Sequence, residues 1–106
     1  MYSLEDFRTL KIGIVVPKEE IDDFLALCAD NDIRWSDGLP ATEFRPFAAS
    51  GYDKVSFFFN YLGCGGMKYN SHGTTDTEGY EAVDFHDLAE VNSYMVVGDI
   101  MQVLVG

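Results

Sequence analysis

The chain has 106 residues, 47% of them hydrophobic and 14% aromatic, which is enough apolar mass for one core and points to one domain spanning residues 1–106. Its 18 acidic against 7 basic side chains give a formal net charge of −11, which repels nucleic-acid phosphate and anionic membrane surfaces and argues against either as a direct partner. Two cysteines, Cys28 and Cys64, make no disulfide framework and fit a reducing compartment; the N-terminus reads as no signal peptide, no run approaches the ~20 apolar residues of a span, and a cytoplasmic protein is expected.

In chain order, Leu4 and Phe7 fall at helical spacing and suggest a short turn against a sheet. Ile12, Ile14 and Val16 then alternate with Gly13 and Val15, the period of a strand with one buried face, and Pro17 ends the run because it lacks a ladder donor. The period changes after Pro17. Ile21, Phe24, Leu25 and Cys28 make one apolar stripe of a helix over about Lys18 to Ala29, with Glu19 and Glu20 complementing its dipole and Asp30-Asn31-Asp32 supplying turn chemistry at its end. Ile33 and Trp35 alternate with Arg34 and predict a second strand, closed by Asp37-Gly38 and Pro40. Strand, helix, strand with a short crossover predicts a right-handed parallel pair, unless a larger hairpin-rich sheet inserts another strand between them.

Leu39 to Asp53 holds Pro40, Pro46 and Gly51 without a sustained period, so a long loop is expected, anchored on the core by Phe44 and Phe47 and a candidate contact surface. Lys54 to Leu62 is a strand with Val55, Phe57, Phe59 and Tyr61 on one face and Ser56, Phe58 and Asn60 on the other, leaving Phe58 as either a second-face contact or an exposed aromatic. Gly63-Cys64-Gly65-Gly66 turns the chain into a return strand through Met67, Tyr69 and Ser71. His72 to Gly79 reads as loop, Tyr80 to Phe85 as a further strand, and His86 to Glu90 as a turn of helix capped by Asp84 or Asp87. The apolar tail from Val91 to Gly106 favours strand, broken at Gly98, and is expected either to pair centrally or to join two copies in a homodimer. The sum is an α+β fold, a mainly antiparallel sheet of about five strands with one principal helix.

Chemistry is harder to find. Gly63, Gly65 and Gly66 follow a strand, but no Gly-Lys-Ser/Thr and no clear helix come after them, so a phosphate loop is not supported. Cys64, His72, Asp84 and His86 are zinc-type ligands whose spacing matches no zinc motif. No nucleophile has a base beside it in sequence, and the pairs Glu19-Glu20 and Asp22-Asp23 stand on a solvated helix face, so neither catalytic residues nor a cofactor are expected. What remains is a negative face made of Glu19, Glu20, Asp22, Asp23, Asp30, Asp32 and Asp37, spaced somewhat like phosphates and suited to the basic groove of a nucleic-acid-binding protein, with Phe44, Phe47 and Phe58 as aromatic contacts.

The run Lys11-Ile-Gly-Ile-Val-Val16, the acidic helix, Asp32-Ile-Arg-Trp-Ser-Asp-Gly38, Met67-Lys-Tyr-Asn-Ser71 and Gly79 to Leu88 together resemble small acidic proteins encoded by phages and prophages of Gram-positive bacteria. That resemblance implies a mobile-element accessory protein, a class that includes inhibitors of host defence such as anti-CRISPR proteins, and carries no catalytic residues with it. The expected function is therefore a non-enzymatic inhibitor of a basic host protein such as a CRISPR effector. A small-ligand or zinc-binding module and a dimeric structural accessory protein are the alternatives.

Overall fold

The computed structural model of the chain describes residues 1–73 and 79–91. The strand expected in the tail beyond Val91, and the middle of the loop between His72 and Gly79, lie outside these residues.

Helix α1 (Leu4–Thr9) starts with a capping box: Ser3 Oγ accepts from the Asp6 N–H, and the Ser3 N–H donates to Asp6 Oδ2. Its buried residues are Leu4 and Phe7, as their spacing predicts. Strand β1 (Ile12–Pro17) runs into a 3₁₀ turn (Lys18–Glu20) and then helix α2 (Ile21–Asp30), which buries Ile21, Phe24, Leu25 and Cys28. Burying each of the larger members of that stripe contributes about 1.5–3 kcal/mol, far more than any helix-terminus effect, so packing decides where α2 sits.

Strands β2 (Lys54–Phe59), β3 (Met67–Asn70) and β4 (Glu81–Asp84) complete one sheet of four strands in the order β3-β2-β1-β4. The fold is α+β, with four strands among the described residues. Strand β1 pairs antiparallel with β2, Ile14 opposite Phe57, and parallel with β4, Ile14 opposite Val83. Strands β2 and β3 form the expected hairpin, Phe57 opposite Tyr69. Strand β2 stops at Phe59, short of the expected Leu62, because Asn60 takes a left-handed φ of 56° and its Oδ1 accepts from the Gly65 N–H at 2.8 Å.

Ile12, Ile14, Val16, Val55, Phe57 and Val83 form a buried row beneath the helices. Phe24 is the hub: its ring centroid lies 4.6 Å from that of Phe57, 5.7 Å from Phe85 and 6.2 Å from Phe7. After β4 a 3₁₀ turn (Phe85–Asp87) is capped by Asp84, whose side chain accepts from the His86 N–H, and the chain returns to the N-terminus through the Tyr2–Leu88 bridge.

The parallel partner of β1 differs from expectation. Ile33 and Trp35 are buried as an inward-facing pair should be, yet the segment makes only isolated bridges, Trp35 to Met67 and Arg34 to Pro40. Met67 N–H donates to Arg34 O at 2.9 Å and Ser36 N–H to Met67 O at 3.1 Å, so the segment lies on the outer edge of β3. Strands β2 and β3 therefore stand between it and β1, and β4 takes the parallel position.

Candidate functional site

The Leu39 to Asp53 loop is stitched down along its length. The Trp35 indole Nε1 donates to Ala41 O at 3.0 Å, and a 3₁₀ turn (Ala41–Glu43) buries Ala41. Further on, Ala49 N–H donates to Ser71 O and Lys18 N–H to Asp53 O, each at 2.9 Å. Arg45 holds the middle: its Nε donates to Asp22 Oδ1 at 2.8 Å, its Nη2 to Lys18 O at 3.2 Å, and its guanidinium carbon lies 4.8 Å from the Phe47 ring centroid. Backbone tethers and one guanidinium fork fix the loop to Trp35 at its start, to the β1–α2 connection at Arg45 and Asp53, and to the residue after β3 at Ala49.

The anchors are the expected ones only in part, since Phe44 packs its ring on the core residue Trp35 at 5.4 Å between centroids. Ala41 and Pro46 are buried, whereas Phe44 is 43% exposed and Phe47 72%. Leu39, Tyr52 and Tyr69 are also more than two-fifths exposed, at 46%, 48% and 42%. Leaving a phenylalanine in water forgoes about 1.5–3 kcal/mol of burial, and this loop does so at Phe47 while its backbone is held in place. Phe58 is a correction in the other direction. It is 5% exposed and packs its ring against Tyr61 and Tyr80 on the second face of the sheet, so of its two readings it is the second-face contact and not the exposed aromatic.

The rings gather on the β3 side. Trp35, Phe44 and Tyr69 pack on one another with centroids 5.4 to 6.0 Å apart, and with Asp37 they line a depression of about 350 Å³. Phe47 and Tyr52 border a second one, shared with Glu19, Lys18 and Arg45.

The carboxylates divide into two groups. Asp22 is paired to Arg45 and Asp32 to Arg34, while Glu20 turns back so that its buried Oε2 lies 2.6 Å from His86 Nε2 without the alignment of a hydrogen bond. Among the described residues Glu19, Asp23, Asp30 and Asp37 make no ion pair and are exposed; Asp37 Oδ1 only accepts from the Leu39 N–H at 3.1 Å. The negative face is therefore smaller than its sequence count, because two arginines pair with it and Glu20 turns away from it toward His86.

The zinc-type candidates are dispersed. Cys64 is exposed in the β2–β3 connection, His72 packs its ring against Tyr52 at 4.7 Å, and Asp84 spends its carboxylate on the His86 N–H at 2.8 Å. Among the described residues no three of His, Cys, Asp and Glu come together as a metal-binding group. Cys28 is fully enclosed in the core, and burial pushes its thiol well up from the ordinary range, against a small opposing pull from Arg8. It is an inert packing residue.

Sequence reasoning missed Arg45, Tyr52 and Tyr69. A lone arginine between two phenylalanines in an acidic chain was the available signal for Arg45. Tyr69 gave none, since alternation places it on the inner face and only its position on the outermost strand exposes it. No family model, no curated protein and no solved structure matches this chain. Among the described residues no helix is long and apolar enough to cross a membrane.

Proposed function

We propose that this chain is a non-catalytic binding protein whose aromatic and acidic surface docks on a basic protein. The target class that suits it is a host nuclease or nucleic-acid-binding complex, such as a CRISPR effector, met in the bacterial cytoplasm. Carboxylates on the β1–α2 side draw in the basic groove, and the aromatics of the loop supply the desolvated contacts that hold it; a groove so covered is closed to nucleic acid and the enzyme is inhibited.

The observation that carries this reading is the outward set Phe44, Phe47, Tyr52 and Tyr69 on a tethered loop and strand edge, with Glu19 beside Phe47 and Tyr52. The test is a binding and nuclease-inhibition assay with purified CRISPR effectors at about 50 mM salt, where screening is weak. The wild type should form a complex that weakens steeply with salt, and Phe47→Ala should loosen it at least about tenfold while changing stability by less than about 0.5 kcal/mol. Absence of a complex with every effector at low salt, or a complex indifferent to both Phe47→Ala and a Glu19→Lys, Asp23→Lys double substitution, would overturn the reading.

A further inference from the structure

We propose that the depression walled by Trp35, Phe44 and Tyr69 receives an arginine side chain of the basic partner, with Asp37 as its counter-charge; this rests on the reading above. The molecule already contains the same chemistry once: the Arg45 guanidinium lies 4.8 Å from the Phe47 ring centroid with the Asp22 carboxylate 2.8 Å from its Nε. The second aromatic and carboxylate grouping has no guanidinium of its own. Phe44 and Tyr69 are half open and tilted 39° to one another at 5.6 Å, and Trp35 stands nearly perpendicular to both, at 77° and 81°, as the buried floor. An aromatic face attracts a cation, and one oxygen of Asp37 accepts from the Leu39 N–H while the other is open to a donor.

Two cations lie nearby and neither fills the place. Arg34 is turned to Asp32 at 3.1 Å and to Gly38 O at 3.2 Å. Lys68 lines the depression from β3, but strand alternation sends its side chain to the face opposite Tyr69. Arginine suits the site better than lysine, because a planar guanidinium stacks on a ring while donating in a fork to a carboxylate, and an ammonium does not.

The test uses the full chain and two capped peptides of equal length and charge, one of arginine and one of lysine, read by the fluorescence of Trp35, the single tryptophan. At one low salt concentration the arginine peptide should shift Trp35 emission saturably and bind about fivefold or more tightly than the lysine peptide. Phe44→Ala and Asp37→Asn should erase that preference, whereas Asp23→Asn should weaken both peptides alike. Thermal melts check each variant, and Tyr69→Ala replaces Phe44→Ala if the latter unfolds. Equal binding of the two peptides, or a preference that survives Phe44→Ala, overturns the arginine site and leaves the basic-partner reading standing. Failure of both peptides to bind at low salt sinks the basic-partner reading itself.

Discussion

Two phenylalanines ten positions apart, Phe47 and Phe57, end at opposite extremes, one 72% exposed and the other fully buried. Residue type does not separate them. Phe57 sits in an alternating strand that fixes its direction, while Phe47 sits in an aperiodic loop where only tertiary tethers, above all Arg45, decide which way it points. The cysteines divide in the same way and can be tested directly. Cys64 is exposed and Cys28 enclosed, so the folded protein should react rapidly with a thiol reagent at one cysteine and release the second only on denaturation. Because burial raises the Cys28 thiol above its ordinary 9.0, the unfolded chain sheds that proton first as pH climbs. The stabilising contribution is whole below pH 9.0 and is lost above it at up to about 1.4 kcal/mol per pH unit. Urea denaturation from pH 8 to 10.5, compared with Cys28→Ala, checks the sign: the wild type should lose stability more steeply. The Tyr2 hydroxyl, raised by its hydrogen bond to Glu81, adds the same slope to both proteins and cancels.

At the level of elements, what was legible is what local periodicity governs. The stripe of α2 and the alternation of β1 and β2 follow from spacing, and the structure keeps them; of the two caps read after β4 it uses Asp84, for a turn over Phe85–Asp87 in place of His86–Glu90. The negative helix face was legible in part, since spacing places carboxylates outward and says nothing of Arg45 arriving from elsewhere to pair with one or of Glu20 turning toward His86. The role of Ile33 to Trp35 was not legible, because alternation is equally compatible with a strand inside a sheet and with a bridge at its edge. Gly66 decides between these. A Cβ there would lie 2.6 Å from Ser36 Cα and 2.8 Å from Trp35 C, so the segment reaches the edge of β3 only because residue 66 has no side chain. Gly66→Ala should push Ser36 away, break the Trp35–Met67 bridge, red-shift Trp35 emission and cost about 1–3 kcal/mol in urea denaturation. Gly38→Ala is the control: its φ of +89° carries strain, but no atom lies within 4 Å, so it should lose stability without the same spectral shift.

For the molecule as a whole, an excess charge of −11 sets self-repulsion against a few exposed ion pairs. Such pairs are worth about 0–1 kcal/mol each, so repulsion wins, and screening it should help the folded state. Going from about 10 mM to about 0.15 M salt shortens the screening length from ~30 to ~8 Å and should raise Tm, as calorimetry would show; a falling Tm would mean that the pairs outweigh the net charge. The same salt should weaken capture of a basic partner, so stability and binding are expected to move in opposite directions. Finally, the central strand β1 lies near the N-terminus, and its parallel neighbour β4 comes after both strands of the hairpin. During synthesis β1 leaves the ribosome long before β4 exists, and a nascent chain that has reached the hairpin but not β4 has an open flank on β1. Closing so distant a pairing makes folding slow relative to helical proteins of this size and places the hazard of misassembly before Val83 emerges.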